Sequence, residues 1–191
     1  MRVTTGFYKG RIISTVRDLS VRPATDRVRQ TIFNMLTNRV ELGGTWVLDL
    51  FAGSGSLGIE ALSRGAAHAT FVESSPEAVQ YLEKNIRVLG CEPATEILEM
   101  DALRFLDLKR GPYDIIFADP PYRFDRTAEI PERVFSGMMV KQHGYLLIEH
   151  AQNVRFRSSR LYLAGPEKRF GRTLVTFFRP HTEPETMDRK P

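Results

Sequence analysis

Asp49-Leu50-Phe51-Ala52-Gly53-Ser54-Gly55-Ser56-Leu57-Gly58 follows an apolar run, Thr45–Leu50, and leads into Ile59, Ala61 and Leu62. The apolar run reads as a buried strand. The spacing after it reads as a helix ending near Arg64. Between them the glycines let the backbone turn sharply and let a ligand approach it closely. Gly53-x-Gly55-x-x-Gly58 also satisfies the dinucleotide fingerprint, so NAD and S-adenosylmethionine compete for this loop. Asp49 separates them. Dinucleotide loops offer helix N-terminal amides to a pyrophosphate, and a carboxylate at the strand's end disfavours that anion. S-adenosylmethionine carries an ammonium, a sulfonium and no phosphate, and a nearby carboxylate favours such charges. The loop is therefore read as an S-adenosylmethionine site built on Asp49, Phe51, Ala52, Gly53 and Gly55.

Downstream, strand and helix signals alternate. Ala69–Glu73 reads as a second strand ending in an acid. Ser75, Pro76 and Glu77 form a helix start, with Ala78, Leu82, Ile86 and Leu89 on its inner face. Glu73 stands 18 residues beyond Gly55, close to the spacing at which an acid accepts the hydroxyls of a ribose. Thr95–Met100 is a third strand. After it, Asp101-Ala102 either caps a short helix, Leu103–Leu108, or receives an adenine amino group.

Tyr113-Asp114-Ile115-Ile116-Phe117-Ala118-Asp119-Pro120-Pro121-Tyr122 is a fourth strand that stops at a carboxylate, two prolines and an aromatic. Two prolines cannot extend a sheet ladder, so the chain leaves the strand in a stiff turn. The Asp119 carboxylate and the Pro120 carbonyl can accept the two hydrogens of a planar amine, and the Tyr122 ring can stack on its base. Asp-Pro-Pro-Tyr after an apolar strand resembles the signature of amino-group methyltransferases that use S-adenosylmethionine. Beyond it come a rim, Arg123–Arg126, and a helix from about Ala128 to Met139. A fifth strand, Tyr145–Glu149, follows a Gly144 turn. Leu161–Ala164 and Thr173–Phe178 make a final strand pair, joined by a basic loop from Gly165 to Arg172.

The chain begins with Met1–Thr15, which reads as a small hairpin within a basic arm of residues 1–20. Arg22-Pro23-Ala24-Thr25-Asp26 opens a helix of about 12–14 residues, a usual length, capped by Thr25 or Asp26. Val28, Ile32, Met35 and Leu36 form its stripe, and Arg27 and Arg29 lie off it. Residues 181–191, rich in charge and proline, are expected to be disordered. Residues 1–180 then form one domain.

The 191 residues, 42% apolar and 26% charged, suit a soluble globular protein. No apolar run nears the roughly 20 residues that span a bilayer. Cys91 is the single cysteine, which fits a reducing cytoplasm, and the four histidines show no metal-ligand spacing. The net charge is only +4, yet residues 1–40 carry +6, residues 41–152 carry −7 and residues 153–180 carry +6. Two basic ends around an acidic centre suggest a nucleic-acid footprint flanking a site, with Lys9, Arg11, Arg22, Arg27, Arg123, Lys168 and Arg169 as its contacts.

Strand–helix alternation implies an α/β protein with a mostly parallel sheet covered on both faces. With the Asp49 loop, Glu73 and the Asp119 turn in this order, the chain resembles a class I, Rossmann-like methyltransferase of seven strands. Arg22–Leu36, Asp49–Arg64 and Phe170-Gly171-Arg172-Thr173 together resemble the RsmD family over residues 3–180. The arm has Thr5-Gly6 where that family often shows paired glycines, and the acidic, proline-containing tail is extra. The resemblance implies methylation of the exocyclic N2 of one guanine in 16S ribosomal RNA of the small subunit; the expected substrate is a small-subunit particle, and the expected enzyme a cytoplasmic monomer. Other readings of the same turn are an adenine-N6 methyltransferase, a protein-glutamine methyltransferase and a non-catalytic RNA-binding assembly factor. The last would be expected to lose the acids of the cofactor site, whereas Asp49, Glu73 and Asp119 are all present.

Overall fold

The computed structural model describes residues 1–15 and 24–181. The seven strands are β1 (Trp46–Leu50), β2 (His68–Glu73), β3 (Thr95–Glu99), β4 (Tyr113–Ala118), β5 (Val140–Ala151), β6 (Tyr162–Phe170) and β7 (Thr173–Pro180). They form one sheet in the order β3-β2-β1-β4-β5-β7-β6. The first five run parallel, and β7 enters antiparallel between β5 and β6. Strand order reverses between β1 and β4, and ligands of such sheets bind at the carboxyl ends beside that reversal.

The central strands are apolar at nearly every position because both faces are covered. Val47, Ile115, Phe117 and Leu147 face one core with the N-terminal arm and the helices α1 (Ala24–Thr37), α2 (Ser56–Ser63) and α3 (Pro76–Leu89). Leu48, Ile116, Leu146 and Ile148 face a second core with α4 (Ala102–Asp107) and α5 (Ile130–Ser136). Close approach of α2 to the sheet depends on Gly58, where an added Cβ would lie 2.3 Å from the Phe71 ring.

The arm is a hairpin that belongs to the first core. The Val3 amide donates to the Arg11 carbonyl and the Gly10 amide to the Val3 carbonyl, and Val3 and Ile13 are buried. Its base is tied to α3 by the buried Asn85. The Asn85 amide accepts from the Ser14 N–H at 2.8 Å and donates to the carbonyls of Ser14 and Ser54 at 2.8 and 3.0 Å.

Four expectations are corrected. Helix α1 begins at Ala24, so Thr25 and Asp26 fall in its first turn rather than at the cap. Arg29 is buried at 3% exposure instead of lying off the stripe, because the buried Glu60 of α2 draws its guanidinium inward at 3.5 Å. Gly144 lies inside β5 rather than in a turn before it. A Cβ there would stand 2.6 Å from the Asp114 carbonyl oxygen, so glycine permits the close pairing with β4. The basic stretch of residues 165–170 is strand, since the β6–β7 ladder resumes after a bulge between Ala164 and Glu167 and runs to Phe170. Arg22 and residues 182–191 lie outside the described residues.

Candidate active site and nucleic-acid interface

The carboxyl edge of the sheet collects acids from four neighbouring strands. Asp49, next to last in β1, is buried and accepts one hydrogen bond, from the Gly58 amide at 2.8 Å. Burial pushes its carboxyl up to about 8, the Gly58 amide partly offsets this, and the negative charges of Asp119 and Glu73 add to it. The loop after it is shaped by Phe51 in the left-handed region at φ 60 and by Gly53 at φ 55, beside which an added Cβ would meet open space. Gly55, by contrast, is needed for packing: a Cβ would stand 2.4 Å from Leu82.

Glu73 closes β2 and clasps the loop. Its carboxylate accepts from the amides of Gly53, Ser74 and Ser75, each at 2.8 Å. Ala52 is held from the same side, its amide donating to the Val72 carbonyl at 3.0 Å. Asp101 caps α4 by accepting from the Arg104 amide at 2.9 Å, and Ala102 is buried behind it.

Asp119 follows Ala118, the last residue of β4, at the carboxyl edge of the sheet. Its surface reaches solvent while the surrounding protein still desolvates it, which pushes its carboxyl up to about 6. Pro120 is buried and Tyr122 is 82% exposed. The turn is fixed by the Phe124 amide donating to the Pro121 carbonyl at 2.8 Å, and the Phe124 ring meets Phe51 edge-on at 5.0 Å. The rim thus leans on the glycine loop, and that contact was not visible in the sequence.

The sequence also left Glu149 unassigned. The register Ala118↔Ile148 sets Glu149 beside Asp119 on the next strand, and burial together with the Asp119 charge pushes its carboxyl up to about 8. Asp49, Glu73, Asp119 and Glu149 therefore share one edge. Such a set disfavours phosphate and favours a cation, so the residues fit an ammonium and sulfonium ligand. Among the described residues no group of His, Cys, Asp and Glu is arranged to hold a metal ion.

The basic residues divide into two groups. Lys168 aligns with Glu149 through Val175, and Arg169 with His150 through Leu174, so both stand at the acidic edge, about 10 Å or two strand spacings from β5. Arg123 adjoins Tyr122 there. Lys9 and Arg11 lie on the far half of the arm, whose turn is fixed where the Phe7 amide donates to the Ser63 carbonyl at 2.7 Å. All five are exposed, as is Arg27 in the first turn of α1. A hollow of about 820 Å³ opens by that arm turn, lined by Thr5, Phe7, Asn38, Arg39 and Arg64 among others, and it contains none of the predicted site residues.

A family described as Conserved hypothetical protein 95 matches residues 1–179. The chain is 38% identical to "Putative rRNA methyltransferase YlbH" of Bacillus subtilis over 81% of its own length and 84% of that protein. It is 42% identical to "Ribosomal RNA small subunit methyltransferase D" of Escherichia coli over 64% of its length and 61% of that relative. A solved structure, "Putative methyltransferase yhhF from Escherichia coli", superposes with a TM-score of 0.84 at 30% identity, covering 96% of this chain and 99% of the other. The likeness spans the acidic edge, the arm and the β6–β7 hairpin together. The chain belongs to this Conserved hypothetical protein 95 family, the RsmD family that its sequence resembles.

Proposed function

We propose that the chain transfers a methyl group from S-adenosylmethionine to the exocyclic N2 amine of one guanine in 16S ribosomal RNA of the small subunit. The observation that carries this reading is the row Glu73–Asp49–Asp119–Glu149, in which Asp119 opens the Asp-Pro-Pro-Tyr turn. The names of the relatives support ribosomal RNA as the substrate.

Asp49 favours the cofactor's positive charges, Glu73 receives its ribose, Asp101 and Ala102 meet its adenine, and Phe51, Ala52, Gly53 and Gly55 line its path. When bound, S-adenosylmethionine supplies an electrophilic methyl group. The guanine amine is a poor nucleophile because its lone pair is delocalised into the ring. Asp119 and the Pro120 carbonyl accept its two hydrogens, favour a more pyramidal nitrogen and aim the lone pair, so positioning and electrostatics supply most of the rate. Asp119, at about 6, is mostly ionised at neutral pH and receives the proton that the methylated amine releases. Tyr122 stacks on the flipped base. Arg123, Lys168 and Arg169 bind nearby phosphates, and Lys9, Arg11, Arg22 and Arg27 extend the contact.

The test is transfer of labelled methyl from S-adenosylmethionine to ribosomal RNA and small subunits taken from cells lacking the protein, followed by digestion to nucleosides. Label in N2-methylguanosine is expected. Label in an adenosine derivative moves the target to another amine, and label in protein but not RNA overturns the substrate class.

A further inference from the structure

We infer that Glu149 sets the base specificity of this site by accepting the N1–H of the target guanine beside the amine held by Asp119 and Pro120. The inference rests on the guanine reading proposed above.

Three observations place it. First, β4 and β5 are parallel with Ala118 opposite Ile148, so Asp119 and Glu149 follow side by side, about one strand spacing apart. Second, they emerge toward one side. Phe117 and Leu147, two positions earlier, face the arm-side core, while Ala118 and Ile148 face the other. Third, Glu149 is only partly exposed, and no hydrogen bond from a described residue reaches its carboxylate. The other acids of this edge differ: Asp49, Glu73 and Asp101 each accept from a backbone amide. A partly buried carboxyl that no described donor meets is open to a ligand N–H, which replaces the water its oxygens would otherwise bind.

The Watson–Crick edge of guanine presents three N–H hydrogens, one on N1 and two on N2. The site offers three acceptors for them: Glu149, Asp119 and the Pro120 carbonyl. Adenine, or any purine whose N1 is an unprotonated acceptor, would set a lone pair against the Glu149 carboxylate. The positive charge of the bound cofactor draws both neighbouring carboxyls toward their ionised forms, which are the accepting ones. A site that uses a substrate N–H rejects the analogue lacking it more strongly than shape alone can, because its own buried group is left unpaired.

The probe is a small subunit reconstituted with 16S RNA in which the target guanine is replaced by 2,6-diaminopurine. That base keeps the N2 amine but has no N1–H. Wild-type protein should favour guanine in kcat/KM by roughly tenfold to a hundredfold, the range of a bidentate base contact. Glu149→Gln should lose rate on guanine and narrow the preference to within about threefold, since its amide can donate to the bare N1. Equal use of both bases by the wild type overturns the inference without any variant. A Glu149→Gln protein that keeps the wild-type ratio at whatever rate also overturns it, because a merely structural Glu149 would lower both rates together. Absence of N2-methylguanosine from the wild-type reaction would instead remove the parent reading.

Discussion

Glu60 and Asp49 are both carboxylates almost wholly inside the protein, at 1% and 2% exposure, yet their surroundings are opposite. Glu60 accepts from the Thr4 amide at 2.9 Å, from the Thr4 hydroxyl at 2.5 Å and from Arg64 Nε at 2.9 Å, with Arg29 at 3.5 Å. Its charge is met by the chain itself, and the result ties the arm, α1 and α2 together. Asp49 has one amide donor and like charges around it. The pair sets a charge met inside the folded chain beside one left with few donors, the state that suits the cofactor role proposed for Asp49.

The largest effect expected is from Asp119→Ala. It should lower kcat/KM by on the order of a thousandfold, as loss of an acceptor used in the transition state does, while thermal unfolding is unchanged or slightly later. Near-wild-type turnover would break the functional half of the comparison. Next is Glu60→Ala, which removes the buried carboxylate that Arg29 and Arg64 face and should destabilise by about 3–5 kcal/mol in urea unfolding. A loss under about 1 kcal/mol would place Glu60 with ordinary surface pairs. Asp49→Asn should do the reverse of Glu60→Ala. It should weaken S-adenosylmethionine binding by about tenfold, the scale of one screened charge pair, without destabilising the free protein.

The pH dependence sharpens the same contrast. Asp49 and Glu149 are pushed up to about 8, so the folded state holds their protons more tightly than the unfolded chain, whose carboxyls titrate near pH 4. Stability of the ligand-free protein should therefore fall as pH rises from about 4 to 8 through this contribution. S-adenosylmethionine should then raise the unfolding temperature more at pH 8 than at pH 6, and Asp49→Asn should reduce that difference. A cofactor shift independent of pH would separate these acids from the cofactor. The smallest effect belongs to Lys168→Gln with Arg169→Gln, which should reduce the slope of log affinity for RNA against log salt by about 1.5. An unchanged slope would remove β6 from the interface.

The strand–helix rhythm, the Asp49 loop and the Asp119 turn were legible because each depends on neighbours in the chain. Gly55 and Gly58 were legible only in part: as loop residues they suggested a ligand, but both make room for packing against Leu82 and Phe71. The place of Glu149 beside Asp119 was not legible, since it follows from register with β4 rather than from any local pattern. Arg29 read as a surface residue because its partner stands 31 positions away on α2. The charges and Pro166 made β6 look like a loop, and only the ladder on β7 reveals a strand. Asn85 gave no sign, because an isolated amide on a helix gains meaning from the two backbone segments that it joins.

Strand β6 stands at one end of the sheet, and no other described strand pairs with its outer side. Exposed edges of this kind invite strand addition and aggregation. Here the bulge between Ala164 and Glu167 interrupts the ladder, Pro166 offers no N–H, and Glu167, Lys168 and Arg169 set charge along the rest. The row proposed to meet RNA thus also carries the bulge, the proline and the charges that disfavour strand addition at this edge. Evolution or engineering could tune affinity here with polar residues, but an apolar edge would trade nucleic-acid contact for insolubility.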